Sequence, residues 1–317
     1  MIAIPHAGVI VTGAGGRTGK IVVRKLLVDS RRDDGTFAYR VCAVVRSGEE
    51  KLLSYLHENE SCFVDSAVEA GSLVFANIDI TSEAAEAQLT ETFQKLGSDG
   101  SVGLVVCSSA VPKINMSSLF GVIFWNKLLG YKDVRPTFHF KEAAQEPKSV
   151  DYEGQLRQFS AARASGVSTH VVVVSSMAGT DPSHFLNQNM QNMVLWKRKA
   201  EKALVEAGDL PYTIIHPGGL LPHVGTSKDS DKGGERALVV SVDDSLLQRE
   251  YRLIPREDVA ELCVLCLKDG EASKNRSFDV VAEPVGTGSV FDGELKQLLG
   301  TLDGANADYS KPDLSSL

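Results

Sequence analysis

Thr12-Gly13-Ala14-Gly15-Gly16-Arg17-Thr18-Gly19-Lys20 is the stretch that decides how this chain folds. It follows the apolar run Gly8-Val9-Ile10-Val11 and precedes Ile21-Val22-Val23-Arg24-Lys25-Leu26-Leu27, whose apolar residues recur at helical spacing. The order is strand, glycine turn, helix. The glycines fall as Gly13-x-x-Gly16-x-x-Gly19. Glycine permits the tight turn off the strand, close approach of backbone to a phosphate, and packing of the helix near the sheet. Free N–H groups at the helix start and the helix dipole favour an anion. The stretch therefore reads as a seat for a dinucleotide pyrophosphate. It is not a nucleoside-triphosphate loop, because no Gly-Lys-Ser/Thr ending follows at the required spacing.

Outward from this loop, apolar β-branched runs at 8–12, 39–46, 72–78, 102–108, 169–175 and 211–216 read as strands. Several are apolar on both faces, as in a parallel sheet covered on both sides. Helical patterns lie near 16–30, 48–57, 82–97, 151–165, 193–208 and 256–268, with a weaker one at 291–300. Short strand candidates follow at 251–254 and 277–282. Alternating strands and helices predict an α/β chain with a doubly wound, mostly parallel, Rossmann-like sheet and a small C-terminal substrate-capping region. One domain spanning 1–317 is expected. Two segments interrupt the pattern. Residues 112–148 are irregular and contain Phe120, Phe124, Trp125, Phe138 and Phe140, and residues 217–250 are rich in Gly, Ser and Asp. Both follow strands at the carboxyl edge, where open α/β sheets bind ligands, so both are expected to wall a substrate pocket. The polar stretch 301–317 is expected to fray.

Composition narrows the class. The apolar fraction of 43% supports a buried core, and a net charge of −8 argues against a protein devoted to nucleic-acid backbone. The short run Lys197-Arg198-Lys199 reads most simply as a solvated helix face. No apolar stretch reaches membrane-spanning length. The first strand starts within eight residues of the N-terminus, so the expected compartment is the cytoplasm, or the plastid stroma where a transit peptide has been removed. Five scattered cysteines suggest reduced thiols. Cys263-x-x-Cys266 sits in an apolar helical pattern with no second ligand pair nearby, so core packing is expected and no metal site. Oligomeric state is not legible.

The second strand ends Val44-Val45-Arg46-Ser47. An NAD site usually carries Asp or Glu here for the ribose 2′-hydroxyl, whereas Arg suits a 2′-phosphate. Arg46, with Arg17 in the glycine loop, would grip that phosphate through charge-assisted bonds, which favours NADP. After the third strand, Asp79 in Asn77-Ile78-Asp79-Ile80 lies where the adenine amine would sit, and could equally cap the helix beginning near Thr81.

These residues resemble the atypical short-chain dehydrogenase/reductases, particularly the NAD(P)-binding, NmrA-like subgroup of plants and algae. The resemblance runs through 12–19, Val45-Arg46-Ser47, Ser108-Ser109-Ala110-Val111-Pro112 and Val150-Asp151-Tyr152-Glu153-Gly154-Gln155. It continues through Val174-Ser175-Ser176-Met177-Ala178-Gly179-Thr180, Trp196-Lys197-Arg198-Lys199-Ala200-Glu201, 212–220 and 254–260. It implies a cofactor site built from Gly13, Gly15, Gly16, Arg17, Thr18, Gly19, Arg46, Asp79, Ile80, Ser109, Ala110, Ser176, Lys197, Pro217, Gly218 and Gly219. It also implies catalytic roles. In active members a serine polarises the carbonyl, a tyrosine passes the proton, and a lysine four residues later holds the nicotinamide ribose. Ser176 matches the serine and Lys197 the lysine. Met193 stands where the tyrosine belongs, and a thioether donates no proton. Tyr152 or Tyr212 could substitute, and His216 reads as a buried or capping histidine. The expected function is an NADP-dependent oxidoreductase acting on a small hydrophobic carbonyl or quinone-like substrate. The alternatives are a catalytically silent NADP(H)-sensing protein and, last, an isomerase that returns its hydride.

Overall fold

The computed structural model describes residues 4–118, 137–221, 233–287 and 295–317. Eight strands form the central sheet: β1 (Gly8–Thr12), β2 (Arg40–Val45), β3 (Leu73–Asn77), β4 (Val102–Val106), β5 (Thr169–Val174), β6 (Tyr212–Pro217), β7 (Leu238–Ser241) and β8 (Arg276–Ala282). Their order is β3-β2-β1-β4-β5-β6-β8-β7. All neighbours pair parallel except β7 with β8. The order reverses between β1 and β4, and that switch point is where such sheets bind ligands. The doubly wound, mostly parallel α/β sheet read from the sequence is the fold.

Period-two alternation sorts side chains to the two faces. Val9, Val11, Ala43, Val45, Val172 and Val174 enter one core layer, while Ile10, Cys42, Val44, Val171 and Val173 enter the other. The first layer is closed by α1 (Gly19–Ser30), α2 (Glu49–Glu60), α3 (Val64–Glu69) and α8 (Arg256–Lys268). The second is closed by α4 (Ala85–Leu96), α5 (Gly154–Ala164) and α7 (Met193–Ala207). Short helices α6 (Phe185–Asn189), α9 (Gly270–Ser273) and α10 (Leu295–Gly300) lie among the connections. A π-helical turn, Lys148–Glu153, leads directly into α5.

Four readings are revised. Segment 217–250 contains strand β7, and its Gly219–Leu220 pairs parallel with Leu253–Ile254. Segment 112–148 contains the antiparallel ribbon Lys113–Ile114 with Phe138–His139, while Phe120, Phe124 and Trp125 lie outside the described residues, as do 222–232. The C-terminal stretch does not fray. Asn306 Oδ1 accepts the Ser277 amide at 2.9 Å, Ala307 N donates to Ser277 O at 3.2 Å, and Arg198 Nη2 donates to Asp308 O at 2.8 Å. The run 197–199 is not a solvated face either, because Lys197 and Arg198 are both buried. Cys263 and Cys266 are buried in the core side of α8.

Candidate cofactor and active site

The parallel register brings the strand ends into one line. Thr12 lies beside Val44 and Val106, Val174 beside Ile215, and Pro217 beside Val280. Immediately beyond that edge come Gly13–Gly19, Arg46, Asp79 and Ile80, Ser108–Ala110, Ser176 and Pro217–Gly219. The sequence-predicted residues other than Lys197, which stands on α7, therefore follow strand ends along one rim of the sheet.

At the glycine loop, Gly13 adopts φ +65°, and a Cβ there would lie 2.7 Å from Cys107 C and Ser108 N. A Cβ on Gly19 would stand 2.2 Å from Gly13 O. These two glycines are required by the turn itself. Gly15 differs, since its Cβ would meet nothing nearer than Val45 Cγ1 at 3.9 Å. The Thr18 side chain makes no capping bond at the start of α1, and the first turn holds no acid. That leaves the positive end of the helix dipole open to an anion. Arg17 and Arg46 are both exposed on this rim. Asp79 uses Oδ1 to accept from Thr81 N (3.0 Å) and Thr81 Oγ1 (2.7 Å), so it starts the turn toward α4.

Along the β4 end, Thr12 Oγ1 donates to Gln158 Oε1 at 2.6 Å, and Gln158 Nε2 donates to Ser108 Oγ at 3.2 Å. Asp151, in the π-turn and fully buried, accepts the Ala110 amide at 3.2 and 3.3 Å. It also receives the Lys197 ammonium at 2.6 Å, with the lysine side chain only 4% exposed. The sequence had given Asp151 no role. A buried lysine needs a buried acid, but nothing in the spacing says which acid. Burial pushes the Cys107 thiol up to about 12, partly offset by the nearby Lys197 charge.

Ser176 follows β5, half-buried, with Oγ donating to Met177 O at 2.9 Å. Beneath it runs a buried chain of charges. Ser175 Oγ donates to Glu201 Oε1, Glu201 Oε2 meets His216 Nε2 at 3.0 Å, and His216 Nδ1 lies 3.2 Å from Asp279 Oδ1. Burial alone would lower the His216 pKa, but the Glu201 and Asp279 carboxylates outweigh it and hold it at about 9. Burial would raise Glu201, yet His216, Arg198 and Ser175 bring it down to about 2. Asp279 is raised by burial, which the bond to His216 only partly offsets. His216 is thus the buried histidine of the sequence reading.

Of the two alternative tyrosines, Tyr212 lies away from Ser176 and Tyr152 is half-buried in the π-turn beside Asp151. Tyr212 opens β6, opposite Val171, at the far edge of the sheet from Ser176. Tyr152 stacks on Trp196 with ring centroids 5.5 Å apart, and the Lys199 ammonium lies 5.5 Å from its ring. Met193 begins α7, whose first amides are capped by Asn187 Oδ1 (Val194 N 3.1 Å, Leu195 N 3.2 Å).

A parallel sheet with a glycine loop at its switch point and an open helix N-terminus defines a nicotinamide-dinucleotide-binding protein. Residues 141–270 match the family model described as NAD(P)H-binding, a stretch that takes in Ser176 and Lys197. The chain is 37% identical over 285 residues to an uncharacterized chloroplastic protein of Arabidopsis thaliana, covering 89% of this chain and 71% of that one. It is 33% identical over 288 residues to sanguinarine reductase of Eschscholzia californica, covering 88% of this chain and 90% of that one. Among solved structures, an oxidoreductase from Lactococcus lactis shares the fold with TM-score 0.54 at 14% identity, covering 94% and 98% of the two chains. The chain belongs to the NAD(P)H-binding, atypical short-chain dehydrogenase/reductases. No helix among the described residues is long and apolar enough to cross a membrane.

Proposed function

We propose that this protein is an NADP(H)-dependent reductase of a small hydrophobic carbonyl or quinone-like acceptor, folded as one domain. The observation that carries it is the rim of the glycine loop, where α1 starts without a side-chain cap and two exposed arginines follow β1 and β2, Arg17 in the loop and Arg46 just past the strand end. Such an arrangement suits the pyrophosphate and a 2′-phosphate together. The residues present fit the dinucleotide, because the space over Gly15 is open and the turn glycines admit backbone to phosphate. The cofactor, when bound, supplies the hydride. Gly13–Gly19 would seat its phosphates, and Ala110 and Pro217–Gly219 would border the ring end. Ser176 would orient the acceptor oxygen. With Met193 in the tyrosine position, the proton comes from solvent, which favours acceptors that take hydride readily. The sanguinarine reductase relative supports a reductase, and the chloroplastic relative supports a plastid stromal location over the cytoplasm.

The test is titration with both dinucleotides, followed by NADPH oxidation against a panel of quinones, aldehydes and other acceptors. Tighter NADPH binding and consumption with at least one acceptor is the expected result. Equal or tighter NADH binding would remove the 2′-phosphate reading. A second reading, a silent NADP(H) sensor, is favoured by Met193 and by the engagement of Lys197 with Asp151. Tight binding with no turnover anywhere in the panel, and a change of assembly between NADP and NADPH, would select it.

A further inference from the structure

The backbone after Ser176 is bent where no glycine stands. Ala178 is buried at φ +79°, a region that L-residues rarely occupy. Such strain persists only where surrounding structure over-determines it, and it collects at functional sites. Here the surroundings are specific. Asp244 Oδ1 accepts the Ala178 amide at 2.6 Å, and its Oδ2 accepts Thr180 N at 2.8 Å and Thr180 Oγ1 at 2.6 Å. Asn187 Nδ2 donates to Ala178 O at 3.0 Å. Asp244 is itself left-handed, at φ +61°, after Asp243 at φ +57°. Its amide donates to Asp279 Oδ2 at 2.7 Å, which joins it to the His216–Glu201–Ser175 chain. The segment carrying Ser176 is therefore gripped on both sides, at Ser175 by Glu201 and at Ala178 and Thr180 by Asp244.

We infer that Asp244, from the turn after β7, is a positioning residue for Ser176, forcing Ala178 into a left-handed bend that presents the serine to the acceptor. The inference rests on the reductase reading for its kinetic consequence, but not for its structural one. Asp244 lies outside the glycine loop and is only half-buried, so its loss should spare both fold and cofactor affinity.

The experiment compares Asp244→Ala with Asp244→Ala/Ala178→Gly. In the single variant kcat should fall about tenfold or more while the KM for NADPH stays within about twofold, the signature of a lost orienting contact. Glycine adopts positive φ without help, so the double variant should recover roughly threefold or more of that loss. In parallel, amide exchange at Ala178 and Thr180 should quicken about tenfold in Asp244→Ala without substrate, while β5 amides stay protected. Unchanged kcat together with unchanged exchange would overturn the inference, as would a loss that glycine at 178 leaves untouched. If wild-type protein transfers hydride to no acceptor, the reductase reading falls, and the exchange result alone decides the role of Asp244.

Discussion

The two ends of the rim treat charge in opposite ways. At the glycine loop, Arg17 and Arg46 stand exposed beside an α1 terminus with neither side-chain cap nor acid. At the β5 end, Lys197, Arg198 and His216 are buried against Asp151, Glu201 and Asp279. Charges left in water cost nothing to keep until a ligand arrives, whereas charges inside the protein must be matched at once. On the proposed reading the first set is arranged for a ligand and the second for shape. Lys197 is the telling case, since the family pattern gives it to the ribose and the structure gives it to Asp151.

Removing one member of the buried set should produce the largest effect. Lys197→Met leaves the Asp151 carboxylate, fully buried, with only the Ala110 amide. Stability should drop by about 3–5 kcal/mol in urea unfolding, and adding Asp151→Asn should recover most of it. A drop under about 1 kcal/mol with abolished hydride transfer would move Lys197 to the ligand-facing set.

The exposed pair should behave in reverse. Arg17→Ala and Arg46→Ala should each weaken NADPH binding by about 1.5–3 kcal/mol while leaving NADH binding and stability nearly unchanged. Isothermal titration with both dinucleotides separates the two effects. A matching loss for NADH would place these arginines elsewhere than on a 2′-phosphate.

The buried set also has a pH signature. Because the folded His216 pKa lies near 9, above its ordinary value of 6.5, the folded state holds that proton more tightly. Its contribution is full below about pH 6.5 and drains away as pH rises through about 9. Melting temperature should therefore fall across that window in wild type and fall less in His216→Gln. A flat wild-type profile would mean that the imidazolium is not held by Glu201 and Asp279.

What could be read from the sequence follows the same division. Local signals carried the strands, the helices and the glycine turn, because each depends on neighbours in the chain. Lys197 and His216 meet Asp151 and Glu201 46 and 15 residues away, and Arg198, besides Glu201 three residues on in its own helix, reaches Asp308 O 110 residues away. No spacing rule reaches that far. Strand β7 is itself the apolar run Leu238-Val239-Val240, but it is only four residues long and is passed over inside a stretch rich in Gly, Ser and Asp. The C-terminal stretch is expected to fray because it is polar, but Asn306, Ala307 and Asp308 are tied to Ser277 and Arg198, bonds that composition does not report.

The smallest expected effect is also the cleanest test of the division. Gly13 and Gly15 are two residues apart in one loop, yet the turn constrains them differently. A Cβ at 13 collides with backbone of the β4 end, while one at 15 meets nothing closer than 3.9 Å. If Gly15 is absent a side chain for the ligand's sake, Gly15→Ala should leave stability within about 0.5 kcal/mol and still weaken NADPH binding by about 1–3 kcal/mol, the cost of an extra methyl in a filled space. Gly13→Ala should instead unfold the loop before any ligand is added, since both φ and space forbid it. Equal stability losses at the two positions would mean that the open space over Gly15 belongs to the turn, and that the exposed end is built for shape after all.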